Sequence, residues 1–268
     1  MNKKAFLGIL LGLMVPLAGY LVMKSVSKNA APMPRHYIYD SVVQTTKNGK
    51  THYDTIWHTL PDFNLTNQLG RQVSWKEIEG KVVVADFFFT HCPSICPPMT
   101  RNMKRLRDGI KSSAKVGNRD ATFVHFLSFS IDPQRDSVAA LKKWADRFGV
   151  NPQNWWLLTG DRAEIYDLAN NHFRLTAMSG GTVDSAFIHS DLFVLIDKRR
   201  NIRGYYHGLD TTDLARLSRD LVYLSLEKDP NRKFFLEGKL ELIAIVFTAV
   251  IVGLILLFLY LKREKARA

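Results

Sequence analysis

The sequence predicts an α/β sandwich with an N-terminal β-hairpin extension, flanked by two transmembrane helices. Three observations predict it. Residues 82–89 (VVVADFFF) and 122–130 (TFVHFLSFS) are continuous apolar runs of strand length, as in central strands buried on both faces. A helical pattern follows each run, and strands joined by helical crossovers lie parallel. Residues 5–23 and 242–261 carry no charge, and each is long enough to cross a hydrocarbon core of about 30 Å.

Composition narrows the functional classes. A chain of 268 residues holds one or two domains, and its 11% aromatic content argues against wholesale disorder. Two cysteines cannot build a disulfide scaffold. The net charge of +12 is concentrated near the uncharged runs, and residues 29–238 contain no dense basic block. A nucleic-acid footprint would need one, so no nucleic-acid partner is expected. The two apolar runs exclude a purely cytosolic protein.

Lys3 and Lys4 precede the first run, which is longer than the apolar core expected of a cleaved signal and is followed by KSVSK, with no Cys to accept a lipid. An uncleaved anchor is expected, with Pro16 tolerated inside it. The second run ends in LKREKARA, a stop-transfer flank. The positive-inside bias then places both termini in the cytoplasm. The intervening segment falls on the outer, periplasmic side of a bacterial-type cytoplasmic membrane. The expected domains are an anchor (1–28), a linker and β-hairpin extension (29–60), a chemistry-bearing domain (61–238), and a C-terminal span with a basic tail (239–268).

Along the exported segment, Asn48-Gly49 between two β-prone stretches predicts the hairpin. Residues 61–80 predict a short strand, a turn at Gly70 and a brief helical patch, and the strand 82–89 follows. Two prolines open a helix over 97–111, as helix starts permit. After the strand 122–130, Asp136 is expected to cap a helix that stops at Gly149, and Asp161 to cap another. Residues 192–197 and 202–206 predict two strands around the turn 198–201, and 211–226 a final amphipathic helix. The expected order is hairpin, β, α, β, α, α, β, β, α. Parallel strands finished by an antiparallel hairpin describe a thioredoxin-like sandwich.

Both cysteines lie in Thr90-His91-Cys92-Pro93-Ser94-Ile95-Cys96-Pro97, where a buried strand gives way to a helix. Free N–H groups and the positive end of the helix dipole favour thiolates there. Three readings fit the pair. A short disulfide staple would contribute roughly 2 kcal/mol. Dithiol exchange would use Cys92 and Cys96 as catalytic thiols. A soft-metal site would use their thiolates as ligands for Cu(I). Spacing alone does not choose among them.

At this point the chain resembles the Sco (SenC) family of copper-delivery proteins for cytochrome c oxidase. The resemblance rests on FFFTHCPSICP at 87–97, LSFSIDPQRD at 127–136, LLTG at 157–160 and FIHS at 187–190, ahead of the strand LFVLID. It implies a thioredoxin fold that binds one copper, Cu(I) or Cu(II), through Cys92, Cys96 and His189. It implies delivery to cytochrome c oxidase subunit II, with other periplasmic copper chaperones or thiol reductants as further partners. The runner-up is a thiol-disulfide oxidoreductase that reduces the oxidase's copper-ligand cysteines.

His189 stands just before a core strand, where thioredoxin-like oxidoreductases carry a cis-proline, and no proline occurs between Pro152 and Pro230. The family often has Asp directly before this histidine, whereas Ile188 stands here. Carboxylates orient a ligating imidazole, so Asp132 and Asp191 are the candidate partners of the ring. His91, beside Cys92, is read as structural or as a supporting contact. Met99 and Met103 are expected in the core, as are Trp155, Trp156 and residues 87–89.

Overall fold

The computed structural model describes residues 33–47, 50–113, 123–175 and 190–227, together with the isolated positions 19 and 22. No helix among the described residues is long and apolar enough to cross a membrane. Both predicted spans fall outside them, apart from positions 19 and 22.

The predicted hairpin is present. β1 (Tyr39–Lys47) and β2 (Lys50–Trp57) pair antiparallel as a separate two-stranded sheet, with Lys47 opposite Lys50. β3 (Leu65–Asn67) and β4 (Gln72–Val73) flank the turn at Gly70, whose φ of 76° is the left-handed value such a turn demands. The brief helical patch is a 3₁₀ turn (Trp75–Ile78) closed by a capping box between Ser74 and Glu77.

β5 (Val82–Phe88) is buried along its whole length because it is central. It pairs parallel with β6 (Val124–Ser130) and antiparallel with β8 (Leu192–Ile196). α1 (Cys96–Ser113) makes the crossover between β5 and β6. α2 (Val138–Phe148) ends at Gly149, a left-handed cap with φ of 66°.

Two expectations need correction here. The strand β7 (Trp155–Thr159) was absent from the expected order, yet it pairs parallel with β6 and antiparallel with β3. Both its tryptophans are core residues, as expected. Asp136 does not cap α2. Ser137 does, its hydroxyl accepting the N–H of Ala140, while Asp136 turns into the protein and is fully buried.

α3 (Arg162–Asp167) starts at the predicted Asp161 cap and continues as a π turn to His172. β9 (Ile202–His207) pairs with β8, and α4 (Thr211–Leu226) completes the fold. The seven-stranded sheet has the order β4-β3-β7-β6-β5-β8-β9. Alternation along β5 divides the core. Val83, Ala85 and Phe87 join the layer containing Phe173 and Ile165, while Val82, Val84 and Phe88 join the layer of α1, α2 and α4. Met99 and Met103 are buried in the second layer, as expected of a helix stripe facing a sheet.

Candidate metal and thiol site

The site forms where β5 stops. A chain leaving the C-terminal edge of a parallel strand must turn before its crossover helix, and here the turn is pinned from below. The buried carboxylate of Asp136 accepts the backbone N–H of Thr90 at 3.1 Å, the Thr90 hydroxyl, and the Ser130 hydroxyl at 2.6 Å. The loop therefore hangs from the end of β6. Cys92 N–H returns to the carbonyl of Phe89 at 3.2 Å, and α1 begins at Cys96.

Both cysteines are free thiols and both are buried. The Cys96 N–H donates to Cys92 Sγ at 3.4 Å, so the turn brings the first sulfur onto the helix N-terminus. Burial works against the Cys92 thiolate, but hydrogen bonds from Cys96, Ser94 and Ile95 outweigh it and hold the thiol below its ordinary range. Cys96 is pushed the other way, first by deeper burial, then by its hydrogen bond with Cys92 and the charges of Cys92 and Asp86. The two sulfurs are thus chemically unequal. Limiting iodoacetamide on the reduced protein is expected to modify Cys92 first, from a pH below that needed by an ordinary thiol. Peptide mass spectrometry reads this, and equal modification of the two cysteines would contradict the asymmetry.

His189 lies outside the described residues. The chain re-enters at Ser190, and the next residue is anchored near α1. Asp191 O accepts the N–H of Gly208 at 2.6 Å, and Gly208 O accepts Asn102 Nδ2 of α1 at 2.8 Å. Gly208 is required by this close approach, since a Cβ would stand 3.0 Å from both Asp191 O and the Phe193 ring. The Asp191 carboxylate meets His207 Nδ1 at 2.9 Å and raises the affinity of that ring for a proton. Asp132 forms an ion pair with Arg135 at the end of β6. His91 is exposed, with Nδ1 3.1 Å from the Thr90 hydroxyl and 3.7 Å from Asp136.

Sequence reasoning passed over two residues. Asp136 has the local setting of a helix cap, and its 46-residue reach to Thr90 leaves no local signal. Asp86 stands inside an apolar run. It is fully buried on the α1 side of β5, Oδ1 has no hydrogen-bond partner among the described residues, and burial lifts its carboxyl to about 7 against the opposing bond from Ser128. An acid inside an otherwise apolar strand was the available signal. His125, on β6, is buried with both ring nitrogens unpartnered among the described residues, packed edge-on against Trp156. Burial drops its pKa to about 3, so it stays neutral.

A family model described as SCO1/SenC matches residues 54–221, which takes in the second half of β2 through most of α4 and every candidate site residue. The chain belongs to the SCO1/SenC family. It is 34% identical over 160 residues to the SCO1 protein homolog of Bacillus subtilis (strain 168), covering 59% of this chain and 79% of that relative. Among solved structures, BsSco, described as a member of the Sco family of cytochrome c oxidase assembly proteins, is 31% identical with a TM-score of 0.52. That match covers 65% of this chain and 98% of BsSco. Yeast Sco1, solved with copper bound, shares the fold at 21% identity and a TM-score of 0.50, covering 66% of this chain and 98% of that one. The thioredoxin-like α/β architecture read from the sequence is the architecture of these Sco structures.

Proposed function

We propose that this Sco chain is a membrane-tethered copper metallochaperone that loads subunit II of cytochrome c oxidase. The observation that carries the reading is the pair of free, buried thiols set together at the junction of β5 and α1, in a chain of this family. The donor set suits the cargo. Soft thiolates select Cu(I), and the N–H groups around Cys92 already favour its thiolate. His189 would complete a three-coordinate site that also accepts Cu(II), open enough for an incoming ligand to enter before the old ones leave. The description of BsSco as an oxidase assembly protein is the basis for naming an oxidase as recipient.

In this reading the uncharged runs 5–23 and 242–261 span the membrane, both termini are cytoplasmic, and the domain 61–238 is periplasmic. The tether raises the effective concentration of the site near a membrane-bound recipient. The purified segment 31–238, reduced, is expected to bind one copper, and Cys92→Ser with Cys96→Ser none. Absence of copper from the unaltered segment would sink the metallochaperone reading. A membrane-impermeant thiol reagent should label the reduced cysteines in spheroplasts, and protection there would overturn the topology.

A second reading, thiol-disulfide reduction, is favoured by the inequality of the two sulfurs. The Cys92 thiolate would attack a substrate disulfide and release one thiolate. Cys96 would then displace the second, leaving a Cys92–Cys96 disulfide as the substrate gains two electrons. His189→Ala separates the readings. Cu(II) needs the nitrogen donor more than Cu(I) does, so the variant should lose Cu(II) charge-transfer absorption while thiol exchange continues. Undiminished Cu(II) binding would remove His189 from the site and favour the reductase.

A further inference from the structure

We infer that the end of the sheet opposite the cysteines is a docking surface for anionic phospholipid headgroups. The inference rests on the tethered reading above and adds to it an orientation for the domain.

β5 runs from Lys81 toward Cys92, and β8 runs antiparallel beside it with Ile196 opposite Val83. The turn from Asp197 to Asn201 therefore sits beside the start of β5, at the far end from the thiols. A cavity of about 580 Å³ opens there, and Lys76, Lys81, Lys198, Arg199 and Arg200 line it. Three acids also line it, but two of them are engaged by the fold. The Asp197 carboxylate is matched by the buried Arg203 guanidinium at 2.9 Å. Asp62 Oδ1 accepts the backbone N–H groups of Phe63 and Trp75, each at 2.9 Å. Five basic residues thus line the cavity against three acids, of which Asp197 is neutralised by Arg203 while Asp62 and Glu79 keep their charge, so the lining is basic on balance.

Both routes toward the uncharged runs leave from this same end. On the N-terminal side, Pro34 O accepts Arg203 Nε at 3.0 Å and Nη2 at 2.7 Å, and Arg35 beside it is exposed. On the C-terminal side, Ser225 O, in the last turn of α4, accepts Lys198 Nζ at 3.4 Å. The runs 5–23 and 242–261 lie shortly before Pro34 and shortly after Leu226 in sequence. In the tethered reading, a basic concavity near Pro34 and Ser225, the two places from which the chain goes on toward those runs, would meet headgroups at high local concentration. Each base near an anionic surface multiplies attraction by about five-fold, within a Debye length. Docking this end directs the thiols away from the bilayer. The seven residues of β5, at about 3.3 Å each, set their height at roughly 20 Å above the docked end.

The test uses the full chain in nanodiscs of phosphatidylcholine, with and without phosphatidylglycerol, and measures lysine acetylation by mass spectrometry. Lys76, Lys81 and Lys198 should react at least about five-fold more slowly in the anionic discs. High salt should restore their rates, and Lys143 on α2, outside the cavity, should not change. Lys76→Gln with Lys198→Gln and Arg199→Gln should abolish the protection of Lys81. Equal rates in both discs would overturn the proposal without involving any variant. Glycerol phosphate protecting the same lysines equally in neutral discs would assign the cavity to a soluble anion and overturn membrane docking. A chain that does not co-elute with the discs would sink the tethered reading itself, a different failure from equal labelling.

Discussion

Asp86→Asn is expected to remove about 4 kcal/mol of pH-dependent instability from the reduced domain between pH 4 and pH 8. The carboxyl is lifted from 3.8 to about 7 by complete burial. Near pH 4 and below, both folded and unfolded chains hold the proton, and the group has little effect. Between the two pKa values the unfolded chain releases the proton while the folded chain keeps it, so stability falls as pH rises. Above about 7 the loss is complete and constant. Three units at roughly 1.4 kcal/mol each give about 4 kcal/mol. Asparagine has the same shape and no ionisation, so the variant lacks this slope and overtakes the parent by pH 8. Urea unfolding of both segments at pH 4.5 and 8, under reductant, measures the difference between slopes, which cancels groups common to the two. Parallel slopes would mean that Asp86 ionises freely in the folded domain. Such a slope would mark the buried carboxyl as a stability cost carried by β5 at neutral pH, on the face that also packs the helix beginning at Cys96.

Arg203→Met should cost about 3–5 kcal/mol, the second large effect, because it strands a charge rather than because it deletes a contact. Arg203 and Asp197 are both almost fully buried, and their ion pair at 2.9 Å is what neutralises the carboxylate. Asp197 Oδ1 separately holds the N–H groups of Arg199 and Asn201, which shapes the β8–β9 turn. Asp197→Asn in the same chain keeps an acceptor for that turn and removes the charge, so it should recover most of the loss. Urea midpoints of the parent, the single variant and the double variant give the answer. If the double variant is no more stable than Arg203→Met, the loss comes from the missing guanidinium bonds to Pro34, not from the uncompensated carboxylate.

Much of this molecule is legible in residue order because the relevant physics is local. Asn48-Gly49 between β-prone stretches marks a hairpin, and β1 and β2 pair around it. Apolar runs of strand length mark the two central strands, and an Asp cap and a Gly stop mark α3 and α2 where expected. The cysteines fall at a strand-to-helix junction in the sequence, and that junction places both thiols at the helix start in the fold.

What escaped depends on contacts between distant residues. The strand β7 is only five residues long and begins with two tryptophans, with no alternation to announce it. It becomes a strand because β6 offers one edge to Trp155 through Leu158 and β3 holds the other side. Asp136 has the local setting of a helix cap. Only the arrival of Thr90 and Ser130 at its carboxylate, across the end of two parallel strands, makes it the support of the cysteine loop. Asp86 stands in an apolar run, and only the layer of α1, α2 and α4 packed on that face of β5 deprives it of water and lifts its pKa. The sequence by itself determined the elements and the chemistry at the β5–α1 turn, since both follow from side chains near in sequence. The tertiary structure alone decided which carboxylates are buried, what they hold, and which end of the sheet is basic, since desolvation and charge depend on what packs against a residue.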